Sequence, residues 1–296
     1  MWDTEADLVC IGAGIGGLAT AIAAVDAGED IIIADTVHGW LEYHGGDVET
    51  ADFLAAVVEG LDPPARRPGA RPSSTAPVPM RVARAWTGDD RTVEPFVGAT
   101  IRAWDALCLR SPYATLHSSV LGWQRTRMRS SDGEAIEVIA LGEIDWHDGL
   151  GEHHLLGWLG GQAYERDVDV FAASSLQRIV FEEGLIVGVV LDTPDGPYAV
   201  GTRRGVTLSP PDNGPVAVDQ ATDPSHVDRK QVCLVGRSAS RFGRVELVTA
   251  APPAPVAEPV CSASGRQLRG HLHESRQVPS DAWRCGKVHG HTAFGQ

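Results

Sequence analysis

A glycine-rich turn set between two short apolar runs constrains this chain more than any other feature. Residues Ala6 to Ile11 read as a buried strand, and Gly12, Gly14 and Gly17 follow it in G-x-G-x-x-G spacing. Leu18, Ala21, Ile22 and Val25 then recur at the period that gives a helix one apolar face, and Gly28 stops it. Ile31, Ile32 and Ile33 make a second, β-branched strand that ends at Asp35. In such a strand, helix, strand unit the first glycine permits a tight turn and the second lets the backbone approach a pyrophosphate. The third lets the helix pack close to the strand. The helix N-terminus adds unpaired N–H groups and the positive end of its dipole. The stretch Gly12, Ala13, Gly14, Ile15, Gly16 and Gly17 is therefore the candidate dinucleotide cradle. Asp35 is the candidate acceptor for the adenosine ribose hydroxyls, and its charge disfavours a ribose 2′-phosphate.

At 296 residues and 43% hydrophobic content the chain can bury a sizeable core in one large domain or two modest ones. Its 39 acidic against 25 basic residues give a formal charge of −14, which argues against a nucleic-acid partner or an anionic membrane surface. Five cysteines, Cys10, Cys108, Cys233, Cys261 and Cys285, are widely spaced and never form C-x-x-C, so neither a disulfide framework nor a zinc ribbon is indicated. With no apolar leader before the first strand and no run of about 18 apolar residues, a cytoplasmic protein without membrane insertion is expected.

Residues Gly45 to Leu61 carry apolar side chains at helical spacing, with Asp47 or Thr50 available as a cap. The stretch from Asp62 to Pro79, dense in Pro, Gly, Ser and Arg, reads as a linker or surface loop. Between Met80 and Trp146 two strands, MRVARAW and AIEVIALGEI, flank a helix around Val97 to Leu109. Four of the eight tryptophans, Trp86, Trp104, Trp123 and Trp146, fall there. They either shape a substrate pocket in a cap or fill a second core.

From Gly157 to Pro210 the pattern is a helix and then strands at Val168–Phe171, Leu176–Phe181, Leu185–Asp192 and Gly205–Leu208. Glu183-Gly184 marks a hairpin. Together with the N-terminal unit, the matching residues Val168, Val170, Leu176, Ile179, Gly184, Val187, Gly188 and Val189 resemble the flavoproteins of the fumarate reductase, succinate dehydrogenase and 3-ketosteroid Δ1-dehydrogenase family. The resemblance covers residues 5–61 and 157–208. It implies an α/β fold: a Rossmann-like FAD-binding domain, split in sequence, with an inserted smaller α+β cap domain. On that reading residues 1–61 are the first part of the FAD-binding domain, 62–79 a linker and 80–150 the cap or substrate domain. Residues 151–296 are the second part of the FAD-binding domain with an irregular C-terminal region. The resemblance also implies FAD as cofactor, a backbone group of Leu176 facing adenine, and hydride transfer at the flavin N5 to or from a small-molecule substrate. A steroid-like, apolar substrate is preferred to a dicarboxylate.

Two departures qualify the match. Where the family continues its last strand into Ala-Thr-Gly-Gly beside the cofactor, this chain has Ser209-Pro210-Pro211, and proline lacks the backbone donor. CGKVHGHTAFGQ, Cys285 to Gln296, resembles the family's glycine-rich turn, but the helix that follows it there has no counterpart. The alternative implied is a non-catalytic or partner-dependent subunit, with a second protein subunit completing the flavin site.

No catalytic residue is assigned. Arg102, Arg110, Tyr113, Arg237 and Arg241 are the side chains of suitable type, and no family motif maps onto them. His271, His273, His289 and His291 with Cys285 match no standard zinc module, so no metal is expected. GRSASRFG lacks the strand, elbow and helix that a G-x-S-x-G hydrolase needs.

Overall fold

Strand β1 (Thr4–Ile11) leads into helix α1 (Ile15–Asp26) and strand β2 (Ile31–Thr36). α1 is rich in alanine and is buried from Ile15 through Ala24, so it is held by packing on all sides. It ends at Ala27, whose N–H bonds back to Ala23, and Gly28 takes φ +79°. The computed structural model describes residues 1–36, 43–61, 77–86, 97–147, 150–210 and 228–250. The chain divides into two compact units, Met1–Pro253 and Ala254–Gln296, and the second lies wholly outside the described residues.

The remaining elements are α2 (Val48–Val57), β3 (Met80–Ala85), α3 (Val97–Leu109), β4 (Ala114–His117), β5 (Thr126–Ser130), β6 (Ala135–Trp146), α4 (Glu152–Tyr164), β7 (Asp169–Glu182), β8 (Leu185–Thr193), β9 (Gly196–Leu208), β10 (Asp228–Gly236) and β11 (Phe242–Ala250). β7, β2, β1 and β9 lie side by side in parallel. β7, β8 and β9 also form an antiparallel meander, because β7 and β9 are long enough to pair with different partners at their two ends. These strands close one circuit of pairings. A second circuit runs β11, β10, β6, β5, β3 and back to β11. β4 joins the two by pairing with β9 on one side and β11 on the other. Every described strand thus pairs with at least two others.

Two cores lie on opposite faces of this sheet. α1 and α4 cover one with Leu8, Ile33, Trp123, Trp146, Leu155 and Leu247, while α2, α3 and the meander cover the other with Val9, Leu54, Trp104, Leu176 and Leu191. The alternation of side chains along a strand accounts for the division: Leu8 and Cys10 face one way, Val9 and Ile11 the other. Three of the four central tryptophans are core residues, so filling a core is their role. Trp86 instead lies under the Arg129 guanidinium, 4.0 Å from its ring centroid.

Several sequence expectations are corrected. The two strands expected at Val168–Phe171 and Leu176–Phe181 are one bulged strand, β7. Residues Gln231 to Thr249, whose sequence reads as one strand and a turn, fold as a hairpin of two strands, β10 and β11. Within segment 80–150, β3 pairs with β11 and β6 with β10. The linker residues 62–76, Pro211–Pro215 and the Cys/His-bearing stretch from Cys261 to Gln296 lie outside the described residues.

Candidate nucleotide-binding site

Register places the candidate residues along one sheet edge. Ile11 is opposite both Ala34 on β2 and Leu208 on β9, and Thr36 is opposite Ser174 on β7, so the four parallel strands end at about one level. Crevices outside such carboxyl ends are where open α/β sheets take ligands. The turn after β1 is tied on both sides: the Gly12 N–H donates to the Ala34 carbonyl at 2.8 Å, and the Ser209 N–H donates to the Ile11 carbonyl at 2.9 Å.

The glycines are required here by space. Gly12 has φ +109°, and a Cβ on it would collide with the Ser209 carbonyl oxygen. A Cβ at Gly17 would collide with the Gly12 carbonyl oxygen, and one at Gly16 with that of Ala114 on β4. The chain after β9 therefore runs directly against the glycine turn despite Pro210. The first turn of α1 is pinned to β4 as well: the Thr20 hydroxyl donates to the Gly16 carbonyl at 2.8 Å and lies 3.1 Å from the Thr115 hydroxyl.

What the α1 N-terminus leaves unclaimed is the central electrostatic feature. Its N-cap, Gly14, supplies no side-chain hydrogen bond, and no acidic residue lies in the first turn. The first N–H groups of a helix have no intrahelical acceptor, so here they remain for a ligand. α4 shares the glycine N-cap without a side-chain bond, at Gly151, but both other helices with described N-caps carry an acid in the first turn. The Asp47 carboxylate accepts from the Thr50 N–H at 2.9 Å with Glu49 beside it, and α4 carries Glu152 in its first turn. Ala13 is half-buried, and Gly14 and Ile15 are buried.

Asp35 stands half-buried at the end of β2, and Thr36 after it is 3% exposed with its hydroxyl oxygen buried and without a hydrogen-bond partner. Leu176 lies two residues beyond Ser174 on β7, opposite Leu191, and its side chain is in the core. At the adjacent bulge the Tyr43 hydroxyl donates to the Gln177 carbonyl at 2.5 Å and accepts from the Asp47 N–H at 3.3 Å. The Asp47 carboxyl is held below its usual range by the hydrogen bonds from the Thr50 hydroxyl and N–H. The Thr50 hydroxyl oxygen in turn accepts from the Ile179 N–H at 2.8 Å.

The structure thus brings Gly12 through Gly17, Asp35 and Leu176 to one edge. Ser209 joins them there, and so do Thr36, Tyr43 and Thr115, which carry no signal in the sequence, since isolated hydroxyls have no periodicity. The candidate acids do not gather there as a group: Arg102 and Arg110 are exposed on or beside α3, and Arg241 donates to the Ser118 carbonyl at 3.4 Å. Burial pushes the Tyr113 phenol well above its usual range, so it stays protonated.

The donor set suits a diphosphate-linked dinucleotide: uncapped helix N–H groups with no acid in the first turn for the phosphates, a turn without side-chain bulk to let them approach, and a strand-end carboxylate for the ribose. The unpartnered Thr36 hydroxyl beside Asp35 adds a second polar group at that position.

No protein-family model and no curated protein matches the chain. Among solved structures it is similar to a 3-ketosteroid-Δ4-(5α)-dehydrogenase from Rhodococcus jostii RHA1, at 19% identity over 70% of this chain and 46% of that one, with a TM-score of 0.31. A flavocytochrome c3 fumarate reductase matches at 15% identity over 69% of this chain and 33% of that one, with a TM-score of 0.30. A geranylgeranyl bacteriochlorophyll reductase-like protein from Thermoplasma acidophilum matches at 11% identity over 67% and 38%, with a TM-score of 0.28. The chain spans a third to a half of the length of these proteins. The likenesses are partial, and neither fold nor activity is carried over from them. Among the described residues no helix is long and apolar enough to cross a membrane.

Proposed function

We propose that this chain holds FAD and serves as the flavin-binding part of an oxidoreductase acting on a small molecule. One observation carries the reading: the uncapped N-terminus of α1, with no acid in its first turn, opens behind the turn Gly12-Ala13-Gly14 at the carboxyl ends of the parallel strands. Gly12 to Gly17 hold the pyrophosphate, Asp35 accepts from the adenosine ribose, and the backbone at Leu176 borders the adenine. FAD, when bound, supplies hydride transfer at N5 of its ring. The chain's own contribution is to bind and orient it.

The substrate is left at a small molecule. One ground for an apolar, steroid-like compound falls away, because Trp104, Trp123 and Trp146 fill the two cores.

The test is the visible spectrum of the purified protein. A flavin band near roughly 450 nm that bleaches with dithionite supports the reading, and a protein that stays colourless after incubation with FAD overturns it. Gly14→Leu is expected to abolish flavin retention with the far-ultraviolet circular dichroism unchanged, and unchanged flavin stoichiometry would refute the placement. Asp35→Ala should weaken binding about ten-fold, the loss of a ribose contact of about 1.4 kcal/mol. Bound flavin that is reduced but turns nothing over points to the partner-dependent subunit instead.

A further inference from the structure

Five charged side chains form an alternating chain beneath α3, on the side of the second circuit facing Trp104. Arg81 on β3 donates to Glu246 on β11 through Nε at 2.6 Å and to Glu134, in the β5–β6 turn, through Nη1 at 3.0 Å. Arg244, two residues before Glu246 and so on the same face of β11, donates to Glu246 at 3.0 Å. Arg237, in the β10–β11 turn, pairs with the other oxygen of Glu134. The order is Arg237, Glu134, Arg81, Glu246, Arg244, with a cation at each end. Both ends converge on one indole: the guanidinium carbons of Arg237 and Arg244 lie 5.6 and 5.5 Å from the Trp104 ring centroid.

The charge does not balance. The three arginine side chains are 10–12% exposed, Glu246 is 1% exposed, and Glu134 is 39% exposed and partly screened by water. Of the neighbouring groups, Asp105 on α3 accepts from the Ser240 hydroxyl at 2.6 Å with Arg241 beside it, and those two offset one another. Asp132 is bonded to Ser130 at the solvent-facing turn. Among the described residues one buried positive charge is left over, and the Nε–H of Arg237 is buried with no acceptor. A buried cation and an unmet donor are both costly, and an indole face answers the first but cannot accept the second.

We infer that Arg237, at the end of this chain of charges beside Trp104, binds one small monovalent anion, a halide or an ion of similar size, which completes the alternation. Arg237 Nε is closed to solvent, so the ligand is a compact ion rather than an extended carboxylate. The overall charge of −14 repels anions at long range, so such binding would be local to this cluster.

Thermal melts of the purified chain in bromide and in the bulkier gluconate, at matched ionic strength, test this. The melting temperature should rise by about 3 °C from about 1 mM to about 100 mM bromide and stay flat in gluconate. Arg237→Met should remove the dependence, because Glu134 retains Arg81. Crystals soaked in bromide should show anomalous density beside Arg237 Nε. Equal melts in the two salts, a dependence that survives in Arg237→Met, or water alone at Nε would each overturn the proposal.

Discussion

At Gly12 two demands meet in one residue. Its φ of +109° is strained for any side chain, and the Ser209 carbonyl occupies the space a Cβ would need. Gly12→Ala is expected to lower unfolding free energy by about 3 kcal/mol, strain and overpacking together, measured by urea denaturation of the apoprotein. His117 makes a different prediction. It is fully buried on β4 with its Nδ1 2.9 Å from the Thr207 hydroxyl, and burial, with the nearby Arg125 charge, lowers its pKa from 6.5 to about 3. Between those values the unfolded chain binds a proton that the folded chain refuses, so this contribution is complete above pH 6.5 and is lost as pH falls towards 3. The share is on the order of 5 kcal/mol, and His117→Gln should flatten the stability profile across that window. The carboxyl groups of Asp7, Asp47 and Asp132, held low by hydrogen bonds from Arg203, Thr50 and Ser130, add a loss only at the acid end of that window, around and below 3.8.

Elements differ in how far their residues announce them. α3 is legible to the residue, Val97–Leu109, and Asp47 is one of two cap residues anticipated for α2, because caps and helical periods are local signals. The cradle is legible for the same reason: every part of it lies within thirty residues of Asp7. β4 is not. Ala-Thr-Leu-His has no alternation because all four residues are buried, on two faces and between two partners, and only β9 and β11 supply those partners. β7 reads as two strands because its bulges interrupt the period. The β7–β8 hairpin tests the local side of this distinction. Glu183 and Gly184 both have positive φ, 51° and 80°, the pair a type I′ turn needs. Glu183→Asn should therefore raise stability by about 0.5 kcal/mol, seen as a higher urea midpoint with an unchanged slope.

For the molecule as a whole, the question is whether two circuits of strands and two cores behave as one unit. β4 is shared between the circuits, and the same sheet backs both cores, so neither core can lose its floor without exposing the other. Three buried cysteines report on this: Cys10 lies in the core under α1, and Cys108 and Cys233 in the core under α3. Burial raises all three thiol pKa values, that of Cys10 to about 12, so none offers a reactive thiolate in the folded state. Pulsed alkylation through a urea titration, read by peptide mass, is expected to show Cys10, Cys108 and Cys233 becoming reactive together at the midpoint of the fluorescence transition. Reaction of Cys108 and Cys233 well before Cys10 would mean that the second circuit opens alone. β4 would then be a hinge between two folding units rather than a strand common to one.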